Sequence, residues 1–237
     1  MDTLWLRIQA PFAAFRAFQA GVYRSTAPIM PPSTAFGLVL NLAGIEMREN
    51  TDAPITQIRS DLPCLEIAIG SVADTESEVC TLYQQLHSYP VGNSGKDNLK
   101  PRTQGAKYWI TPVRRELLAG LDMVLGVKGD REVLARVLQG LNGEFNSSRY
   151  GLPFAGDNNF LFDRITPIQI QDIPPTHWYI RMDGDSSPMA GSCYLTVGID
   201  RLNNSKTSKF LYAPIEESTG DPPTEAWTWT PKQPVPI

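Results

Sequence analysis

The sequence predicts an α+β fold built on an antiparallel sheet. Three observations carry that expectation. Residues 3–10 alternate apolar and polar, two stretches have helical period with a glycine just beyond each, and the last third breaks into short strand-like runs. With 20 prolines and 18 glycines in 237 residues, strands and turns are favoured over long helices.

Taken in order, Leu4, Leu6 and Ile8 alternate with Trp5, Arg7 and Gln9, which reads as a strand with one buried face. Pro11 opens a long segment rich in Ala, Phe and Arg that ends at Met30-Pro31-Pro32-Ser33. Ser33 is placed to cap a helix over 34–43, with Phe36, Leu38, Val39, Leu40 and Leu42 as its apolar residues and Gly44 as its stop. Residues 57–70 read as a strand bent at Pro63. Residues 78–89 fit a strand or a helix equally. The stretch 91–105, VGNSGKDNLKPRTQG, has no apolar period and reads as a flexible loop or hairpin tip. Residues 107–112 and 116–127 read as two strands. Asp130 is the expected cap of a helix over 131–141, with Val133, Leu134, Val137, Leu138 and Leu141 on one face and Gly143 just past its end. A glycine-rich loop covers 149–160, and shorter strands follow at 162–170, 177–182, 194–199 and around 210–212. The tail, 221–237, holds five prolines; its Trp227 and Trp229 either pack back on the domain or dock on a partner.

The order strand, helix, strand, long excursion, strand, helix, strand is that of a ferredoxin-like core. This scaffold serves RNA-recognition domains and many other functions, so it names no activity. The expected organisation is one domain over 1–237, with an insertion at about 84–115, a β-rich C-terminal part and the Pro/Trp-rich tail 221–237.

Composition narrows the function classes. The net charge of −4 argues against a uniformly basic nucleic-acid binder, so placement of charge matters more than its total. Cys64, Cys80 and Cys193 form no CxxC pair and only two histidines are present, which disfavours a zinc site; no cofactor is expected. Three reduced thiols suit a cytosolic location. No apolar run reaches the roughly 20 residues of a membrane span, and the first residues do not read as a secretory signal.

The positive charge is local. Between Gln84 and Arg115 stand Lys96, Lys100, Arg102, Lys107, Arg114 and Arg115 against the single acid Asp97, a balance of +5. With Tyr83, Tyr89, Tyr108 and Trp109 at its base, this excursion suits an RNA backbone and unstacked bases; a solvated loop with ordinary lysines is the competing reading. From Thr3 to Asn41 there is no acid, and Arg7, Arg16 and Arg24 are the only charges. A guanidinium fork suits phosphate, and Tyr23, Ser25 and Thr26 flank Arg24 with hydroxyls; pairing of Arg16 or Arg24 with an acid elsewhere is the alternative. In the third stretch, Gly151 and Gly156 either let another backbone approach or serve a structural turn. No GK[ST] follows, so it is not a P-loop.

Residues 9–46, QAPFAAFRAFQAGVYRSTAPIMPPSTAFGLVLNLAGIE, resemble the N-terminal signature of the CRISPR-associated Cas-five family: a strand ending in APxAxFR, an Arg/Thr-Pro loop, then PPSxxxGLLxxLxG opening the first helix. The loop around 151–160 is similar to a later element, PxxLGxxxF, with Ala155 where leucine is expected. The wording is nearest the type I-B-like, myxobacterial-type subgroup, some of whose complexes work with transposons. The resemblance implies an RNA-recognition-motif-like core with an inserted β-hairpin thumb, for which residues 84–109 are the candidate. It also implies a subunit of a type I Cascade surveillance complex that caps the 5′ handle of the guide RNA. Its partners would be the Cas-seven-type backbone subunit and the Cas-eight-type large subunit, with target DNA reached only through the complex.

One subtype of that family cuts precursor RNA with a Tyr/Lys/His set. Metal-independent cleavage needs a base for the 2′-hydroxyl and an acid for the leaving oxygen. This chain has only His87 and His177, no Lys-His pair, and Tyr23, Tyr108 and Lys107 in no compelling spacing. Asp183 and Asp185 lack the remaining ligands of a cation loop, and no GxSxG is present. The expectation is a non-catalytic RNA-binding subunit, with a metal-independent endoribonuclease as the alternative.

Overall fold

Alternation in the first strand decides where the core lies. In β1 (Asp2–Ala13), Leu4, Leu6, Ile8 and Ala10 point to one face and are buried there. That face is covered by α1 (Pro32–Leu42) and α2 (Arg131–Leu141), which bury Phe36, Leu38, Leu40 and Leu42, and Leu134 and Val137, against it. The computed structural model describes residues 1–16, 23–50, 52, 56–75, 77–90, 108–146, 149, 151–182 and 189–232. The expected hairpin tip at 91–105 lies outside them.

The short β2 (Tyr23–Arg24) precedes α1, and β3 (Leu65–Val72), β4 (Glu78–Pro90) and β5 (Tyr108–Gly129) lie between the helices. After α2 come β6 (Arg164–Ile168), β7 (Thr176–Arg181), β8 (Cys193–Gly198), β9 (Ser208–Pro214) and β10 (Thr228–Thr230). The sheet runs β6-β1-β5-β3-β7-β9-β8. Its first four members, counted along the chain as the strands of a βαββαβ unit, lie in the order 4-1-3-2 with antiparallel neighbours. This is the ferredoxin-like arrangement that the element order implies.

Local chemistry accounts for the helix ends. Pro31 is the N-cap of α1 and Pro32 opens it, where a missing N–H is no loss, so the expected Ser33 cap is replaced by a proline start. Both helices stop in a Schellman turn. Gly44 and Gly143 take positive φ, and the following N–H groups reach back to Leu40 and Gln139. Asp130 holds the N-cap of α2 without a side-chain cap bond, and Leu138 is 38% exposed rather than on the buried face.

Three strand expectations change. Residues 57–64 are not strand: Ile58 makes only an isolated bridge to Arg48, and β3 begins beyond Pro63, which has no N–H for a ladder. Residues 78–89 are strand. In place of two strands at 107–112 and 116–127, Tyr108–Gly129 form one strand of 22 residues that passes through Pro112; there β4 flanks one edge, and no described strand pairs with the other. Along one edge of β5, β3 covers its C-terminal half and β4 its N-terminal half. The switch falls at Gly120, φ 74°, whose carbonyl accepts a hydrogen bond from Ser77 Oγ at 3.2 Å. From there β4 and β5 run on as a paired ribbon for about 40 Å, at roughly 3.4 Å per residue; β1 and β2 still flank β5 as far out as Arg114, and beyond it only β4 pairs with β5 among the described strands.

The second face of β1 is also covered, against the single buried face expected. Trp5 is 7% exposed and packs edge-on against Trp178 and Trp227, with ring centroids 5.9 and 5.6 Å away. Small residues make the room: a Cβ on Gly126 would lie 2.4 Å from the Trp5 ring, and one on Gly70 2.9 Å from the Trp178 ring. Trp227 therefore packs back on the domain, and β10 pairs with β3. The consequence for function is direct. The face that RNA-recognition domains leave open for base stacking is filled here around Trp5 by the chain's own C-terminal part.

Candidate functional site

Two of the three stretches singled out in the sequence meet at the root of the ribbon. β2 lies parallel to β5 with Tyr23 opposite Arg114 and Arg24 opposite Arg115. The Arg114 guanidinium sits 5.2 Å from the centroid of the Tyr23 ring, and both residues are exposed. Tyr23 Oη donates to Glu116 Oε1, and the Thr26 N–H donates to Glu116 Oε2 at 3.1 Å. The Glu116 hydrogen bond raises the Tyr23 pKa, so the phenol keeps its proton as a donor. Neither Arg24 nor Arg114 makes an ion pair with a described residue. Arg24 is half-buried and Arg114 exposed.

The third stretch arrives at the same place from the other side. The loop 151–161 packs on the end of β1: Ala14 N–H donates to Ala155 O at 2.9 Å, and Ala155 N–H to Phe160 O at 2.7 Å. Gly156 has φ 79°, and a Cβ there would lie 2.4 Å from Ala14 O. Its close approach is thus to this chain's own backbone, and its role is a structural turn. Gly151, φ 69°, has nothing within 4 Å of its missing Cβ and faces open space.

The loop delivers Asp157, which sequence reasoning missed. Its carboxylate accepts from Arg16 Nη2 at 2.5 Å and from Arg115 Nη2, and its Oδ1 accepts from the Asn159 N–H at 3.1 Å. Burial would raise the carboxyl pKa, but the Asn159 hydrogen bond and the two guanidiniums outweigh it and hold the group below the usual carboxylate value. Arg115 is buried, stacked 5.5 Å from the Phe160 ring and 3.4 Å from Gln84 Oε1. The Arg16 side chain remains 43% exposed.

The fifteen expected RNA-binding residues therefore divide. Tyr23 and Arg114 form an outward-facing pair, and Arg24 lies on the other face of β2, opposite Arg115, with Arg16 held by the same Asp157 as Arg115. Arg115 is turned inward. Thr26 Oγ1 is engaged locally, accepting from the Phe15 N–H and donating to Ala27 O, so its hydroxyl serves the turn. Ser25 lies half-buried beside it. Tyr108 and Trp109 stand on β5 opposite Pro90 and Tyr89 at the outer end of the described ribbon. Lys96, Lys100, Arg102 and Lys107 lie outside the described residues. Asp157 carries a signal in hindsight, being the acid in GLPFAGDNN, and Glu116 falls one residue beyond the basic stretch.

Arg16 and Arg115 on one carboxylate leave +1, and Arg24 and Arg114, without an ion pair among the described residues, stand against the single Glu116, so the surroundings are net positive. An exposed phenol–guanidinium pair next to such charge offers a stacking surface and phosphate donors together. Among the described residues, no group of three His, Cys, Asp or Glu is placed to hold a metal ion, and no helix is long and apolar enough to cross a membrane. His177 Nδ1 donates to Ile215 O at 3.0 Å between strands, a structural use of the imidazole.

A family model described as CRISPR-associated protein (Cas_Cas5) matches residues 3–142, which span the first strand through the second helix. A solved structure of a CRISPR RNA-guided surveillance complex aligns over 92% of this chain and 90% of its own, at TM-score 0.57 and 15% identity, a likeness of fold. A crystal structure of a Cas protein covers 90% of this chain and 94% of its own, at TM-score 0.44 and 14% identity. No curated protein matches. With the family model spanning more than half of its length, including the β1, β2 and β5 residues that build the root of the ribbon, the chain belongs to the CRISPR-associated protein (Cas_Cas5) family.

Proposed function

We propose that this chain is a non-catalytic, guide-RNA-holding subunit of a type I RNA-guided surveillance complex, and that it grips the 5′ handle at the root of the β4–β5 ribbon. One observation carries the reading: β2 and β5 bring Tyr23 and Arg114 from distant parts of the sequence into one outward-facing pair, with the half-buried Arg24 beside Tyr23 on the other face of the strand. The handle's phosphates meet Arg24, Arg114 and the exposed side of Arg16, and an unstacked base lies on the Tyr23–Arg114 pair. The ribbon acts as the thumb, and the lysines and arginine beyond Tyr108 extend the contact along the guide. The filled far face of the sheet supports this assignment, because it leaves the root of the ribbon, and not the centre of the sheet, to bind RNA. The finer reading is a type I-B-like subunit touching the Cas-seven-type backbone subunit and the Cas-eight-type large subunit, with target DNA engaged through the complex.

The test is a titration of the purified chain with RNA carrying the repeat-derived handle, over a range of salt. Handle RNA binds with steep salt dependence, and Arg24→Ala with Arg114→Ala weakens both affinity and complex assembly. A double variant that loads guide and assembles like the parent ends the assignment. Incubation with precursor RNA under single-turnover conditions yields no cut; cleavage lost in His87→Ala would instead make the chain a ribonuclease.

A further inference from the structure

A second cleft lies at the far end of β5, about 45 Å along the strand from Arg114 at roughly 3.4 Å per residue. It has a volume of about 570 Å³ and is lined by Arg181, Phe210, Glu225, Trp227, Trp229 and Lys232 among others. That is the size of a small-molecule site. Nothing in the reading of the ribbon uses it.

Its walls have a definite chemistry. Arg181 ends β7, and Phe210 lies on β9, diagonal to it on the same face. The Arg181 guanidinium carbon is 3.5 Å from the centroid of the Phe210 ring. Only a guanidinium lying flat on the ring comes that close, so the N–H edge runs sideways and the outer π-face is turned away from Phe210. A carboxylate prefers the N–H edge; a planar heteroaromatic ring prefers the face. Trp227 is a fixed wall, wedged against Trp5, with Lys128 Nζ 3.7 Å from its ring centroid. Arg181 and Lys232 make no ion pair with a described residue, although Glu225 lines the same cleft.

We propose that this cleft binds a nucleotide, the base stacked on the outer face of Arg181, the phosphate held by Lys232, and an exocyclic amine of the base donating to Glu225. The chemistry is shared by a free nucleotide and by the terminus of a single strand. It is independent of the ribbon patch, so either site stands if the other fails.

The experiment titrates the full chain with AMP, adenosine, ribose 5-phosphate and a 5′-phosphorylated oligoadenylate, read by tryptophan fluorescence and calorimetry. AMP or the oligomer binds about tenfold more tightly than adenosine or ribose 5-phosphate, in line with the worth of one stack or one phosphate contact. Binding of AMP identifies a free-nucleotide site; binding of the oligomer alone identifies a strand terminus. Arg181→Lys keeps the charge, loses the plane and weakens binding about tenfold. Lys232→Ala removes the preference for AMP over adenosine. Arg24→Ala with Arg114→Ala leaves AMP binding unchanged. Thermal melts matching the parent show that the variants fold. The proposal is overturned if neither AMP nor the oligomer binds, if Arg181→Lys binds as well as the parent, if AMP binding follows Arg24 and Arg114 instead, or if a Glu-Trp-Glu peptide displaces AMP at lower concentration.

Discussion

Replacing Asp157 by asparagine keeps the side chain's shape and removes its charge. The Asp157 side chain is 5% exposed and its partner Arg115 7% exposed, whereas Arg16 is 43% exposed. Without the carboxylate, Arg115 stays buried with no counter-charge, a loss of about 3–5 kcal/mol. Arg16 turns to water instead, and its share is below about 1 kcal/mol. In urea, with a slope of about 2 kcal/mol/M, Asp157→Asn lowers the midpoint by roughly 1.5–2.5 M, while Arg16→Ala lowers it by no more than about 0.5 M. The pH arm has a fixed sign. The Asp157 pKa is lower in the folded chain than in the unfolded one, so its stabilisation is complete above the unfolded value. It is lost as pH falls through the folded value, and the asparagine variant loses that part of the acid limb. A midpoint for Asp157→Asn within 0.5 M of the parent, or one equal to that of Arg16→Ala, refutes the reasoning.

Three further outcomes are expected. Arg24→Ala with Arg114→Ala removes about two phosphate contacts, so the slope of log K against log salt for handle RNA becomes shallower by about 1.4. Gly126→Ala forces a methyl against Trp5 and Trp227; it destabilises by about 1–3 kcal/mol and shifts tryptophan emission, read in the same urea titration. Burial pushes the Cys193 thiol up to about 11, so iodoacetamide leaves it unlabelled at pH 8, and its labelling rate rises with pH toward that value, as peptide mapping would show.

Much of the fold was legible because local signals agreed with one another. The alternation Leu4-Leu6-Ile8 and the helix over 131–141 with Gly143 beyond it are where the periodicity puts them. Errors arose where a tertiary partner decides. Pro112 looked like a break, yet β5 passes through it where no described strand pairs with its second edge. Ile58 and Leu62 alternate like a strand, but the ladder starts only after Pro63. Trp5 read as the solvent side of its strand because its partners, Trp178 and Trp227, are more than 170 positions away. For the site, the sequence picked out Tyr23, Arg24 and Arg114 and the loop that packs beside them. It did not reveal that Arg16 and Arg115 spend their charge on Asp157, since pairing across 141 and 42 positions leaves no local pattern.

β4 and β5 run outward together from the point where Ser77 touches Gly120, and beyond Arg114 they pair only with each other among the described strands. The length of that outer ribbon is therefore an adjustable quantity. Taking two residues from each strand draws its outer end in by about 7 Å, and because side chains alternate with period two, every remaining residue keeps its face. The register of β1, β3 and β6 on β5 and its neighbours is untouched by such a change. Evolution, or an engineer, can set the reach of this arm in steps of two residue pairs while the body that carries it stays the same.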